Sequence, residues 1–378
     1  MIERTGVDIC PILKGWGWDS PDLGRLQWGL LAVESRVAFL SRMSPSNFEE
    51  EVSRLTIEFR QSRPAFPQFT YSCEVSHNPV LEEATRALLD LGRALHENKL
   101  FDSLQWGEEL RQILIERTGE LLLEVRLIQA RGSSKVPLLS KERYSFGANE
   151  LSVAYGVAQR WFEEGLKQQG LPSSESQVSL VSALRKLASS EKLNVRIVET
   201  TMSAVAAIGG ETFYVRRGAR VSRGEVLRIW NHEIYAHFLP RTLSKNAPIP
   251  LAIGTRSCSE DEEGRAILLE ERGGWLATSR KMELSIRHQL AESVRESTAS
   301  SLEKTLQLIQ RGADLKLVVR TFARVSRGGG LAREIAYLPG YLRVDKALRF
   351  HPEWEDWMRC GRVSISAATT LSNLCKKA

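Results

Sequence analysis

Residues 222–240 read S-R-G-E-V-L-R-I-W-N-H-E-I-Y-A-H-F-L-P and set His232 and His237 five positions apart on one helix. Ser222 and Glu225 form an S-x-x-E capping box, and Val226, Ile229 and Trp230 supply an apolar face. Successive residues of a regular α-helix turn by about 100°, so positions i and i+4 share a face while i and i+5 diverge by roughly 140°. The two imidazoles meet only if the helix carries a π-type bulge or unwinds near the second. Pro240 gives a reason for irregularity, because it cannot donate to the Ala236 carbonyl and its ring crowds that turn. The helix is expected to kink or end around His237.

The pattern H-E-x-x-x-H uses two of the chain's six histidines, with Glu233 directly after the first. Neutral imidazoles are good zinc ligands, and a carboxylate beside them can take a proton from an activated water as general base. The bland alternative is a helix that happens to hold two histidines. A third ligand is sought in the acidic stretch 257–274, S-C-S-E-D-E-E-G-R-A-I-L-L-E-E-R-G-G, which reads as a second helix. Ser259 and Glu262 form another capping box there, and Gly273-Gly274 ends the element. Glu263 falls in the first turn, before Gly264, where a missing side chain lets a backbone or a metal approach. Glu260, Asp261, Glu262 and Glu263 also suit a helix N-terminus through its dipole alone.

H-E-I-Y-A-H followed by E-E-G-R-A resembles the paired signature of the tyrosine carboxypeptidase family that includes the microtubule-associated enzymes and the bacterial QEGLA-motif proteins. The segments V-R-I-V-E-T-T-M-S-A-V-A-A-I-G-G-E-T-F-Y-V-R-R-G-A-R-V-S and R-T-F-A-R-V-S-R-G-G-G-L-A-R-E-I-A-Y-L-P-G-Y-L-R-V extend the likeness, as do S-P-S-N-F and P-Q-F-T-Y nearer the start. The resemblance implies one zinc ion per chain held by His232, His237 and Glu263, with Glu233 as general base. It implies a carboxypeptidase acting on the C-terminus of a peptide or protein, with a preference for an aromatic residue. Tyr235-Ala236 and Arg265 depart from the family pattern, and Tyr235 and Arg265 are therefore candidates for setting substrate choice. A zinc-binding or regulatory protein that hydrolyses nothing is the alternative.

Composition narrows the remaining classes. At 378 residues, 42% hydrophobic and 26% charged, the chain resembles an ordinary soluble globular protein with room for two domains. No run approaches the about eighteen apolar residues of a membrane span, and the first residues do not resemble a secretory signal. Five scattered cysteines (Cys10, Cys73, Cys258, Cys360, Cys375) without C-x-x-C spacing suit reduced thiols in a cytoplasmic setting. The net charge of +6 is dispersed, without basic blocks or an aromatic ladder, so there is no clear nucleic-acid signal.

The expected fold is α+β, predominantly helical, with a small β element packed beside the zinc helix. Residues 1–175 read as a helical N-terminal region and 176–378 as a metallopeptidase-like catalytic domain, with Leu171–Gln177 as linker. Val195–Val198 and Thr212–Val215 are the clear strands, joined through Gly209-Gly210, and Thr212–Arg217 could pair with extended substrate. A long helix with a solvated face is expected from Gly274 to about Gln310, with His288 structural. Gly328–Gly330 suggest a mobile loop. Arg327 is a candidate for a substrate carboxylate, with a surface ion pair as the alternative. Tyr337 is a candidate oxyanion donor, with packing as the alternative. The tail reads as two short helices, with Ser364 as a cap.

Overall fold

The structure, a computed structural model, describes residues 21–72, 78–97, 101–102, 107–168, 176–202, 204–244 and 249–377. Cys10, Cys73, His77 and residues 171–175 of the expected linker lie outside them. Helix α1 (Pro21–Val37) is followed by α2 (Phe48–Arg60), α3 (Pro79–Glu97), α4 (Gly107–Gln129) and α5 (Ala148–Gln168). Their apolar stripes meet α6 (Thr278–Glu296) and α7 (Leu315–Val325), so Leu55, Leu114 and Phe162 share one core with Leu290 and Phe322. The fold is α+β and mainly helical, as its sequence pattern requires.

Helix α6 departs from the expectation of a solvated face. Leu284, Ile286, His288 and Leu290 on it are fully buried, and its Arg280 is buried against Glu270 and Glu283. Alternating charge marks a solvated surface only when no neighbouring helix offers partners, and here one does. Burial, together with the charge of Arg295, pushes the His288 imidazole down to about 4, which keeps it neutral. The helix also stops earlier than expected. Ser297 is extended, and its Oγ accepts the Ser300 N–H to start a separate helix, Thr298–Gln310.

The three successive glycines form a packed crossing. Gly328, Gly329 and Gly330 all have positive φ, and the Gly328 carbonyl accepts from Gly132 N at 2.7 Å while its own N–H donates to the Tyr71 hydroxyl at 2.8 Å. A Cβ on Gly328 would lie 2.2 Å from the Met43 methyl. Glycine is required here for close packing, which the sequence pattern cannot separate from mobility.

The small sheet is ordered β2–β4–β3, from β2 (Arg196–Thr200), β3 (Ala206–Gly209) and β4 (Thr212–Arg216). Strand β4 runs parallel to β2 and antiparallel to β3. Gly209-Gly210 thus closes the β3–β4 hairpin and does not join the two expected strands. The alanine-rich β3 carries a weak β signal, which hid it. Because β4 is paired on both edges, Thr212–Arg216 has no edge for a substrate strand. Short strands β1 (Val178–Ser179) and β5 (Arg220–Val221) pair beside the sheet. Phe213 and Val215 of β4 join Trp230, Ile234 and Phe238 in one core, which seats the sheet against the histidine helix.

Candidate metal centre

The histidine helix begins as the sequence requires. Ser222 is the N-cap of α-helical Arg223–Trp230, its Oγ accepting the Glu225 N–H at 3.2 Å. From Asn231 to Phe238 the backbone is a π-helix, with Leu239 N–H donating to the Ile234 carbonyl. Hydrogen bonds from i to i+5 stack residues five apart, which brings the His232 and His237 rings to 5.2 Å between centroids. Pro240 does not end the helix. It occupies the first turn of a further α-helical segment, Leu239–Leu243, where a missing N–H costs little.

The π register leaves one carbonyl in need of a partner, because the N–H five residues after Tyr235 would be that of Pro240. Arg265 fills the gap: its Nη1 donates to the Tyr235 carbonyl at 2.8 Å, and its Nε to Glu355 at 2.7 Å. The Arg265 guanidinium is therefore engaged in supporting the π-helix. The Tyr235 hydroxyl is likewise engaged, donating to Glu191 at 2.8 Å.

The third element is helix α8 (Cys258–Arg272). It starts from Ser257, held at φ 61°, so Ser259 lies inside the helix and no Ser259–Glu262 capping box forms. Each of its four leading acids is buried and faces a different partner: Glu260 Arg143 at 2.7 Å, Asp261 Arg343 at 2.7 Å, Glu262 His237, and Glu263 Arg333. Dipole complementation at a surface does not describe four buried carboxylates. Gly264 permits close approach of a backbone, as anticipated, and the backbone is that of α9 (Tyr337–Phe350).

Glu263 Oε2 lies 3.5 Å from His232 Nε2 and 3.9 Å from His237 Nε2. The three ligand atoms of His232, His237 and Glu263 are all within 4.8 Å of one another. A tetrahedral zinc site with bonds of about 2.0–2.1 Å needs donor separations of about 3.3 Å, so this set is slightly wide of closure. Oε2 is a buried carboxylate oxygen with no hydrogen-bond partner among the described residues, while Oε1 accepts from Arg333 at 2.9 Å. Behind the rings, His232 Nδ1 meets Glu270 at 2.8 Å and His237 Nδ1 meets Glu262 at 3.4 Å. Carboxylates on both Nδ1 atoms hold both Nε2 atoms toward the centre, the support that zinc-binding histidines use. The residues therefore fit a zinc ion with one position left open.

Charge balance agrees with that fit. Burial raises the Glu263 carboxyl, but Arg333, His232 and His237 outweigh it and hold the group well below the usual range. Burial also opposes ionisation of Glu262, yet Arg241, His237 and Arg362 bring it down to about 2. Without metal, burial lowers His232, and the carboxylates of Glu263 and Glu270 beside it more than offset this, raising it from 6.5 to about 9. The raised value makes this group's contribution to stability complete below pH 6.5 and lost as pH rises through about 9. A metal needs the neutral ring and competes with that proton. The rise in unfolding temperature caused by zinc should thus grow between pH 6.5 and about 9, while the metal-free protein weakens. Thermal unfolding with and without zinc across that window checks this, and a zinc increment independent of pH would contradict the role of His232.

Glu233 follows His232 on the π-helix and is half-buried. Tyr337 is buried, its hydroxyl 3.4 Å from Arg324 Nη2 and 3.5 Å from Arg333 Nη1. Arg327 is turned to other work: it donates to Glu334 at 3.1 Å and to the Arg324 carbonyl at 2.9 Å. The arginines beside Tyr337 are Arg324 and Arg333, and Arg333 was not singled out by sequence, nor was Glu270. Glu270 had a signal, since it lies seven residues after Glu263 and shares its helix face. Arg333 had none, being 70 residues from its carboxylate partner. Cys258 is buried, and burial outweighs the lowering by Arg362 and Arg117 and pushes its thiol up to about 12, which suits a neutral thiol.

A family model for microtubule-associated tyrosine carboxypeptidases matches residues 58–378. No curated protein and no solved structure matches the chain significantly.

Proposed function

Because the chain belongs to the microtubule-associated tyrosine carboxypeptidase family, we propose that it is a zinc-dependent peptidase removing a C-terminal, aromatic residue from a protein or peptide. The observation that carries this reading is the buried, unpartnered Glu263 Oε2 facing two Nε2 atoms whose rings are held from behind by Glu270 and Glu262. His232, His237 and Glu263 would hold the zinc, which when bound supplies Lewis acidity toward a water and a scissile carbonyl. Glu233 takes the proton of the attacking water and returns it to the leaving amine. The two contacts of the Tyr337 hydroxyl are both arginine donors, so its own proton is left to donate to the developing oxyanion. Arg324 and Arg333 are better placed than Arg327 to meet a terminal carboxylate, since both reach Tyr337 and Arg333 also reaches Glu263.

No helix among the described residues is long and apolar enough to cross a membrane, and the scattered thiols support a cytoplasmic setting. The test is release of the last residue from peptides ending in tyrosine or phenylalanine, compared with the same peptides amidated at the C-terminus. Release from the free-acid peptides alone is expected. Equal cleavage of the amidated set would replace the carboxypeptidase assignment with an endopeptidase one.

A further inference from the structure

Helix α1 lies wholly before residue 58, outside the part of the chain that the family model matches. It nevertheless reaches toward the metal centre through one side chain. Glu34 Oε1 accepts from Arg362 Nη1 at 2.7 Å and from Arg117 Nη2 at 2.7 Å. Arg362 Nε stands 3.5 Å from Glu262 Oε1, and Glu262 Oε2 is the atom facing His237 Nδ1 at 3.4 Å. A continuous run of charges thus joins α1 to a candidate zinc ligand.

We infer that Glu34 is a positioning residue for the metal centre, acting through Arg362 and Glu262 on His237. The inference rests on reading His232, His237 and Glu263 as a zinc site. The physical reason is competition for one guanidinium. Arg362 is partly buried, its side chain 16% exposed, and Glu34 and Glu262 share its charge. Its Nε and Glu262 Oε1 are both buried without a hydrogen-bond partner among the described residues, so the two are held just short of bonding. With Glu34 neutralised, Arg362 draws Glu262 toward itself. The His237 Nδ1 proton then loses its acceptor, and the ring loses both orientation and basicity. Attachment of α1 itself does not depend on Glu34, since Leu30 and Val37 are buried in the core.

The experiment measures zinc affinity of the full chain by competition with a chromophoric chelator, for wild type, E34Q, E262Q and the double variant. Unfolding temperatures of the metal-free proteins are recorded beside them. Glutamine is isosteric, and Glu34 is 26% exposed, so E34Q should fold. Loss of an outer-shell partner weakens metal binding by about 10–100-fold, and one step further out E34Q should weaken it by about five- to tenfold. The double variant should bind zinc no more weakly than E262Q alone, because both changes act through Glu262. Leu30→Ala loosens the same helix without touching the charges and should lower the unfolding temperature at unchanged zinc affinity. Wild-type affinity in E34Q, or a double variant whose losses simply add, overturns the inference. A wild type that binds no zinc would instead fail the metal reading beneath it.

Discussion

Glu233→Gln is expected to lower turnover by on the order of 10³-fold while leaving zinc binding intact. General acid–base catalysis contributes roughly 10²–10⁴-fold, and glutamine keeps the size of the side chain while removing its ability to accept a proton. The loss corresponds to about 4 kcal/mol of transition-state stabilisation. The prediction separates the two glutamates of the centre. Glu263 is buried, faces both imidazoles and is paired with Arg333, which is a ligand's environment. Glu233 is half-buried and outside the set of converging ligand atoms. Rates of terminal-residue release, set beside zinc content, check both halves. Activity within about tenfold of wild type would move the general base to another group.

Gly264→Ala is expected to destabilise the protein by about 3 kcal/mol, at the upper end of overpacking costs, and to impair zinc binding with it. A Cβ on Gly264 would lie 2.2 Å from the Gly340 carbonyl carbon, 2.4 Å from its oxygen and 2.6 Å from Tyr341 N. Those are backbone atoms of α9, so no rotamer change can relieve the overlap and the helices must separate. Gly340 is locked reciprocally, since a Cβ there would lie 2.4 Å from the Glu260 carbonyl oxygen. Separation would shift Glu263, the residue before Gly264, relative to both histidines. Gly92→Ala is the control. Gly92 lies inside α3 with nothing near its missing Cβ, so alanine should stabilise it by roughly 0.5–1 kcal/mol. Denaturant unfolding of the two variants should show opposite signs. A neutral Gly264→Ala would mean that the helices are not in contact there.

How far the sequence led depended on how local each feature is. The spacing of His232 and His237 demanded either a π-type bulge or unwinding near the second histidine, and the backbone takes the first course over Asn231–Phe238. Ser222 and Ser364 were legible as caps because capping acts within three residues, and Ala367 N–H does donate to Ser364 Oγ. Pro240 misled, since a proline that ends a regular helix also fits the first turn after a π segment. Glycine misled in the same way: Gly328–Gly330 look mobile until Gly132, Tyr71 and Met43 are packed against them. Arginine partners were beyond reach. Arg265 and Arg327 stood out and Arg333 did not, yet the fold commits the first to Glu355, the second to Glu334 and the third to Glu263. Pairing across 70 or 90 residues is set by topology and leaves no local trace.

The most direct test of the central claim is metal content of the purified protein by elemental analysis, with His232→Ala and Glu263→Ala in parallel and folding followed by circular dichroism. About one zinc per wild-type chain is predicted, lost from both variants while they remain helical. A wild type that is folded yet takes up no zinc after incubation with the ion would contradict the metal centre, and with it the proposed peptidase chemistry.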